Sequence, residues 1–326
     1  MSSLETNYMG IKLKNPVIVG SSGLTRSVEK VKACENAGAG AVVIKSLFEE
    51  VLAKEDWGLE SSLHAHPEAY DYLQSELQLQ YGPQEYCDLI AEIKSKVKIP
   101  VIGSINCISS KWWPNFAKKI ESAGADAIEL NVFSMPIDPA INAASLEEKY
   151  YEILAAIRER VTIPVAMKIG MYFTSLPFLT KNLANQGVDA IVLFNRFTEP
   201  DIDIESMRLK TTFSFSTKDN IFPLLRWVAL LSGRVGCDLS ATTGIHSAEG
   251  VIKLLLAGAA TTQLVSVLYK KGLDEIGKIL KDMETWMQKH DFSSVGRFRG
   301  KLNFTEAELS EVYLRAQFME KIKGIE

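Results

Sequence analysis

The chain has 326 residues, 36 Lys+Arg against 40 Asp+Glu, a formal net charge of −4 and 47% hydrophobic residues. That is the composition of a folded globular protein, neither disordered nor fibrous, and its mild acidity argues against a dedicated nucleic-acid binder. No apolar run is long enough for a bilayer, the N-terminal MSSLETNYMG lacks a signal-peptide core, and the four cysteines (34, 87, 107, 237) show no CxxC spacing. A membrane span, a disulfide framework, a zinc ribbon and a ferredoxin-type cluster are excluded on those grounds, so a cytoplasmic protein is expected.

The first strand-like run is PVIVGSS (16–22), followed by helical periodicity over 28–37. AGAGAVVIKS (37–46) then reads as a helix end, a glycine cap and a buried strand. After it comes a long excursion, 47–83, and a helix over 84–97. PVIGSIN (100–106) is the third strand; a helix over 113–123 leads to AGADAIELNV (123–132), the fourth. A helix over 146–160, PVAMKIG (164–170), a helix over 176–186 and QGVDAIVLFN (186–195) continue the alternation.

A second excursion, 196–220, carries the alternating DIDIESMRLKTTFSFS, which predicts a hairpin. Then come a helix over 221–233, VGCDLSA (235–241), a helix over 247–257 with Ser247 as N-cap, AGAATTQLVSV (257–267) and a helix over 274–290. A last amphipathic helix, 305–324, opens with a Thr305–Glu308 capping box and packs on the barrel or on a partner chain.

Four of these segments share one pattern, with Gly38, Gly124, Gly187 and Gly258 where a helix C-terminus needs positive φ. The strands are continuous apolar runs, as in a parallel sheet covered on both faces, and Pro opens several, a position it tolerates. Eight strands alternating with eight helices, uninterrupted by a linker, predict a single (β/α)8 TIM-barrel domain over 1–326 with two long loop insertions and a C-terminal helix. Loops as long as 47–83 and 196–220 are usually lids or binding loops.

In a barrel of this kind the chemistry sits at the C-terminal ends of the strands. Those ends carry Ser21-Ser22-Gly23, Lys45-Ser46, Asn106-Cys107, Asn131, Lys168, Asn195-Arg196, Thr242-Thr243-Gly244 and Ser266. Two lysines and three asparagines therefore converge on one mouth. A lysine ending a buried strand needs an anionic or carbonyl partner. Glu129 is the nearest carboxylate in the pattern, but it sits inside its strand rather than at the mouth, so a ligand is the expected partner. Arg196 is placed to clamp a carboxylate or to pair with Glu199 or Asp201. His246 lies beside the Thr243-Gly244 turn, as a cap or a phosphate contact. Cys107 reads as a small buried side chain, or as a substitute base. His64 and His66 form an HxH with no third ligand at a recognisable spacing, and no metal site is expected.

The order Lys45, Glu129-Leu130-Asn131, Lys168, Phe194-Asn195 and Thr242-Thr243-Gly244-Ile245 resembles the dihydroorotate dehydrogenases, and the opening NYMGIKLKNPVIVGSSGLT is similar to that family's N-terminal hairpin leading into strand 1. The resemblance runs from about residue 7 to 301. It implies a barrel that binds FMN and oxidises dihydroorotate to orotate in pyrimidine biosynthesis, passing electrons to a second acceptor. Residue by residue it places Lys168 against the flavin charge that hydride transfer creates. It places Lys45 between flavin and substrate, and Ser22 and Gly23 against the ring. Asn131 and Asn195 hold the pyrimidine, and Thr243, Gly244 and Ser266 face the phosphate; Arg196 is counted with the substrate residues from its place beside Asn195 alone.

The departures are specific. Thr243 replaces the first of two adjacent glycines in the phosphate loop. Ser266-Val267 replaces the usual Gly-Thr. The base loop reads Asn131-Val132-Phe133-Ser134-Met135-Pro136-Ile137-Asp138. Counting from Asn131 puts Ser134 at the base position; counting back from Pro136 puts Met135 there, which cannot take a proton. No Asn occurs between Asn36 and Asn106, where relatives grip the substrate. The expected protein is a flavin-dependent oxidoreductase of a CH–CH bond, dihydroorotate being the first substrate to test. Its base is Ser134, its partners are a small-molecule substrate, a second copy in a homodimer and a separate redox partner, and neither nucleic acid nor membrane is among them. The competing readings are another dihydropyrimidine or enone substrate, a flavin-free aldolase using Lys168 as a Schiff base, and a non-catalytic flavin or phosphate sensor.

Overall fold

The computed structural model describes residues 2–49, 82–107, 113–132, 134, 137–196, 200–211 and 214–304, with 315, 319 and 320. Most of the first excursion and of the C-terminal helix, with His64, His66 and Thr305, lie outside the described residues.

Eight parallel strands close a barrel: β3 (Val17–Val19), β4 (Ala41–Val43), β6 (Val101–Cys107), β7 (Ala127–Val132), β8 (Val165–Ile169), β9 (Ala190–Leu193), β12 (Asp238–Thr242) and β13 (Thr261–Leu264). They pair in the order β4-β3-β13-β12-β9-β8-β7-β6, and β4 pairs with β6 to close the ring. The two-residue β5 (Leu47–Phe48) extends the second barrel position along β6. Two antiparallel hairpins stand apart from the ring: β1 (Thr6–Tyr8) with β2 (Ile11–Leu13), and β10 (Pro200–Asp203) with β11 (Arg208–Thr211). The second is the hairpin predicted from the alternation in the 196–220 excursion.

The helices between strands are α1 (Val28–Asn36), α2 (Pro83–Lys96), α3 (Trp113–Ser122), α4 (Ala143–Arg158), α5 (Leu176–Asn185), α6 (Ile221–Leu231), α7 (Ala248–Ala257), the short α8 (Ser266–Lys271) and α9 (Glu275–Lys289). The four cap glycines have φ of +104°, +93°, +90° and +115°, as their place after a helix end demands. Two boundaries differ from the sequence reading for a local reason. The seventh barrel strand begins at Asp238 rather than residue 235, because Gly236 takes φ +85° and ends the preceding turn. Helix α4 begins at Ala143 rather than 146, because Asn142 accepts the Ser145 N–H and caps it. Ser247 does occupy the N-cap of α7, but its side chain makes no capping hydrogen bond.

Strand alternation splits the apolar residues into two cores. Val17, Val42, Val101, Ile128, Met167, Ile191 and Leu264 point outward and pack under the helices. Ile18, Ala41, Val43, Ile102, Ala127, Ala166, Ala190, Val192 and Ala260 point inward, where they meet Tyr8, Met9 and Leu13 of the first hairpin. That hairpin plugs the N-terminal end of the barrel, and the small alanines leave room for Tyr8, which is 1% exposed. Toward the other end the inward positions turn polar: Ser104, Glu129, Asn131, Lys168, Ser240, Thr242 and Gln263. A change from apolar to polar along one inner face separates a stabilising end from a chemical one.

Candidate functional site

The sheet register builds the mouth. Asn106 pairs with Asn131 across β6–β7, and Asn131 with Lys168 across β7–β8, so the three stand level on adjacent strands. Asn195 follows β9, and its Nδ2 donates to Asn131 Oδ1 at 2.8 Å. The two asparagines singled out from sequence are therefore one unit. Each keeps unspent hydrogen-bonding capacity, since an amide can both donate and accept.

Lys168 lies 3.9 Å from Glu129 Oε1, with 13% and 1% of the two side chains exposed. The expectation that Glu129 is too deep to serve as its partner is thus corrected. Glu129 lies two residues before Asn131 on the same inner face, and a lysine stem is long enough to bring its ammonium down to that level. Glu129 is held from the other side, where Gln263 Nε2 donates to its Oε2 at 2.5 Å. Its Oε1 and Gln263 Oε1 are buried with no hydrogen bond of their own. Burial, and then the charge of Glu129, push the Tyr8 phenol well above its ordinary value, so Tyr8 stays neutral beneath this cluster.

Beside it runs a chain of hydroxyls. Ser21 Oγ lies 3.0 Å from Ser46 Oγ, which lies 2.7 Å from Ser104 Oγ. The Ser46 N–H donates to Ser21 Oγ, and Tyr86 both donates to the Ser104 carbonyl and accepts its N–H. Lys45, half-buried, stands between Ile44 and Ser46 at the edge of this chain. Ser22 Oγ donates to the Gly20 carbonyl and accepts the Leu24 N–H, shaping the turn at Gly23. A Cβ on Gly23 would lie 2.7 Å from the Tyr269 hydroxyl, so a larger residue there would push that ring aside.

The turn after β12 is strained: Thr243 takes φ +87° and Gly244 φ +75°. A Cβ on Gly244 would lie 2.4 Å from the Ile221 backbone nitrogen, so the packing of α6 accounts for this glycine on its own. Thr243 Oγ1 reaches only the Phe194 carbonyl, at 3.5 Å. Residues 214–216, leading out of the β10–β11 hairpin, then cross toward α8. Ser216 Oγ lies 3.1 Å from His246 Nε2, the Ser216 N–H donates to Ser266 Oγ at 3.1 Å, and Lys270 Nζ donates to the Ser216 carbonyl at 2.9 Å. Phe215 stacks on Tyr269.

Arg196 donates to the Ser214 carbonyl and hydroxyl, at 2.7 and 2.8 Å. It thereby fastens this crossing segment, a role that neither a carboxylate clamp nor a pairing with Glu199 or Asp201 anticipates. The hairpin folds residue 214 back onto residue 196, a contact no spacing in the sequence announces.

Ser134 lines a cleft of about 240 Å³ together with Leu146, Glu147, Tyr150, Tyr172 and Phe173. That cleft lies beside the mouth, between α4 and the segment after β8. Met135 and the loop between 49 and 82 fall outside the described residues, as does the side chain of Cys107. Burial pushes Cys34 up to about 11 and Cys237 up to about 12, which leaves neither thiol reactive. Among the described residues no cluster of His, Cys, Asp and Glu could hold a metal ion, and no helix is long and apolar enough to cross a membrane.

The family model for dihydroorotate dehydrogenase matches residues 71–287, about two thirds of the chain. The chain belongs to the dihydroorotate dehydrogenase family. It is 26% identical over 302 residues to the dihydroorotate dehydrogenase B (NAD(+)) catalytic subunit of Thermoplasma acidophilum, covering 90% of this chain and 97% of the relative. It is 26% identical over 303 residues to the protein of the same name from Methanocaldococcus jannaschii, covering 89% and 95%. A crystal structure of the Eimeria tenella dihydroorotate dehydrogenase in complex with ferulenol shares the fold, with a TM-score of 0.66 at 14% identity over 91% of this chain and 88% of that one. Membership makes this chain a divergent oxidoreductase of the CH–CH class, in a family that is generally FMN-dependent.

The residues present fit such a cofactor. The mouth offers a cation, a coupled amide pair and a hydroxyl chain, with the buried Glu129 Oε1 and Gln263 Oε1 making no hydrogen bond. The ends of β12 and β13 offer hydroxyls, an imidazole and a lysine where barrel enzymes bind phosphate.

Proposed function

We propose that the protein is an FMN-dependent dihydroorotate dehydrogenase whose mouth residues divide the work as follows. Lys168, seated on Glu129, presents a fixed positive charge to the ring position where negative charge develops on reduction, the usual means of electrostatic stabilisation. Lys45 would serve the substrate side, Ser22 and Gly23 would hold the ring, and the Asn131–Asn195 pair would orient the substrate with its unused donors and acceptors. Thr243, Gly244 and Ser266 serve the phosphate end. FMN, when bound, supplies the hydride acceptor. The protein's own tasks are to hold that acceptor, to orient the substrate and to take the proton.

Ser134 is the proposed base, assisted by water or a neighbour, since a serine hydroxyl is weak at its free pKa. Glu147, Tyr150 and Tyr172 line the same cleft, which gives water a polar route for the proton. Arg196 acts on the substrate only through the 214–216 segment it fastens. A homodimer and a separate redox partner, the latter in keeping with relatives named as catalytic subunits, complete the proposal.

One observation carries this reading: a strand-end lysine, a buried carboxylate and a coupled amide pair converge at the mouth of a barrel of this family. The test is anaerobic addition of dihydroorotate to the purified protein. Bleaching of bound flavin, with about one FMN per chain released on denaturation, is expected for a barrel with one phosphate site. Absence of flavin, on purification and on reconstitution, defeats the proposal. Flavin that dihydroorotate leaves oxidised but another dihydropyrimidine or an enone alters moves the substrate to that compound, as the absence of Asn between Asn36 and Asn106 foreshadows.

A further inference from the structure

The family pattern supplies a phosphate with backbone amides of adjacent glycines, and this chain has lost one of them to Thr243 and the strand-8 glycine to Ser266. Gly244 is already accounted for by the packing of Ile221. Something else must offset the charge of a phosphate at this place, and the structure shows a candidate set of a different chemistry.

Four cationic or protonatable side chains gather around the ends of β12 and β13: His246, Lys270, Lys271 and Lys218. His246 is 6% exposed and Ser216, its hydrogen-bond partner, 4%. Burial, and then the charges of Lys270, Lys271 and Lys218, hold the imidazole below its ordinary value, which marks a locally positive field. The carboxylates nearby fall on Lys271 and Lys218 of this set and on two lysines outside it, the Glu249 carboxyl being held below its ordinary value first by Lys253 and in part by the charge of Lys218. Glu275 pairs with Lys271 and Lys278, and Glu249 with Lys253. Among the described residues neither Lys270 nor Lys218 has a carboxylate within ion-pair distance.

Lys270 is the cation tied into the set by a hydrogen bond, since its Nζ donates to the Ser216 carbonyl at 2.9 Å. An ammonium has three donors, and this bond uses one. Ser266 Oγ accepts the Ser216 N–H and keeps its own hydroxyl proton to donate. The crossing segment 214–216 thus carries Lys270, Ser266 and His246 on a single residue, at the ends of the seventh and eighth barrel strands, where phosphate is bound in this architecture.

We propose that Lys270, with Ser266 and His246, forms a cation-led clamp for a phosphomonoester dianion, replacing the glycine amides of the family pattern. Resting on the FMN reading, the inference assigns the cofactor's phosphate to this clamp and makes Lys270 the residue that distinguishes FMN from riboflavin. A point charge replaces a nest of amides, so recognition is set by charge rather than by backbone curvature.

The test measures binding of FMN, riboflavin and inorganic phosphate to flavin-free protein, for the parent, Lys270→Met and Lys270→Arg. Losing a charge-assisted hydrogen bond should weaken FMN about 10- to 100-fold while riboflavin affinity stays put, and Lys270→Arg should recover most of the loss. Phosphate should protect the parent against thermal unfolding and leave Lys270→Met unprotected. An FMN-to-riboflavin affinity ratio unchanged in Lys270→Met overturns the clamp while leaving the FMN reading intact, and so does an equal loss of both flavins. A parent that takes phosphate through Lys270 but binds no flavin upholds the clamp and overturns the FMN reading.

Discussion

The two ends of this barrel use polar side chains in different ways. At the N-terminal end, acidic side chains accept backbone N–H groups where the chain enters the next strand. Glu35 Oε1 takes the N–H of Lys98 and Ile99, and Glu121 Oε1 takes those of Thr162 and Ile163 with the Thr162 hydroxyl. Asp126 brackets Val101, Asp189 brackets Val165, and Asp238 brackets Met9 of the plug. Cations complete several brackets: Lys94 on Asp126, Arg158 on Asp189 and Arg299 on Asp238. At the mouth, side chains also bond to one another, as Asn195 does to Asn131 and Gln263 to Glu129, and Glu129 Oε1 and Gln263 Oε1 are left without a hydrogen bond, as Tyr8 Oη of the plug is too. Saturated polar groups stabilise; buried ones with spare capacity are a cost that persists only when the surrounding structure holds them or a ligand completes them. Changes at the first end should therefore move stability alone, and changes at the mouth should move chemistry.

Lys168 gives the sharpest way to break that contrast. Lys168→Met should slow flavin reduction by about 10²- to 10³-fold in a stopped-flow measurement, the scale of one lost electrostatic donor. It also strands Glu129, and removing one partner of a buried ion pair typically costs about 3–5 kcal/mol. Adding Glu129→Gln should restore much of the stability in a denaturant titration and none of the rate. A single variant that kept both the parent rate and the parent stability would make the Lys168–Glu129 contact incidental.

Ser134→Ala should leave flavin bound and the melting temperature unchanged, yet slow reduction by dihydroorotate about 10²-fold, the lower range for a positioned base. The deficit should shrink at high pH as hydroxide substitutes. Reduction at the parent rate would move the base elsewhere, with Cys107 next to test.

Glu121→Gln probes the opposite end. Burial by itself would raise this carboxyl, but hydrogen bonds from Lys118, the Thr162 hydroxyl and the N–H groups of Thr162 and Ile163 prevail and hold it at about 2, below its ordinary 4.5. A carboxylate held down in the folded state adds stability that is full above its unfolded value and lost as pH falls toward the folded one. The variant should lose about 1.5–3 kcal/mol near neutrality, the range for hydrogen bonds to a charged group. The gap from the parent should close as pH falls from about 4.5 toward 2. Flavin stoichiometry and turnover should not change; a fall in turnover out of proportion to stability would erase the distinction between the two ends.

The smallest effect belongs to the hydroxyl chain. Ser46→Ala removes the link between Ser21 and Ser104 and should cost about 1 kcal/mol, the net worth of a typical hydrogen bond. A far larger loss, read by thermal unfolding, would show the mouth to be as tightly saturated as the base.

Much of the barrel could be read directly from the chain because its signals are local. A glycine after each helix end and an apolar run after each glycine are conditions on φ and on burial that act within a few residues. The 38, 124, 187 and 258 positions therefore announced their cap conformation before any tertiary contact was known. The strand ends were legible for the same reason, since the last residues of each run name the mouth: Lys45, Asn131, Lys168, Asn195.

Contacts between distant segments were not legible. Periodicity places Glu129 on an inner face but says nothing of how far a lysine stem on the neighbouring strand will reach down to it, nor that Gln263 will hold its other oxygen. The bracketing acids Glu35 and Glu121 stand three residues before their cap glycines, a spacing visible in the chain. Their partners at 98–99 and 162–163 depend on how the ring closes. Arg196 and Lys270 are the clearest cases. Each meets the 214–216 segment because the β10–β11 hairpin turns back on itself, and the length of that turn carries no code for which residue ends beneath it. Local backbone preference and hydrophobic period, acting over a turn or a strand, determined the barrel and named its mouth. Which polar groups complete one another there was decided only by packing, where ångström-scale distances between remote segments choose the partners.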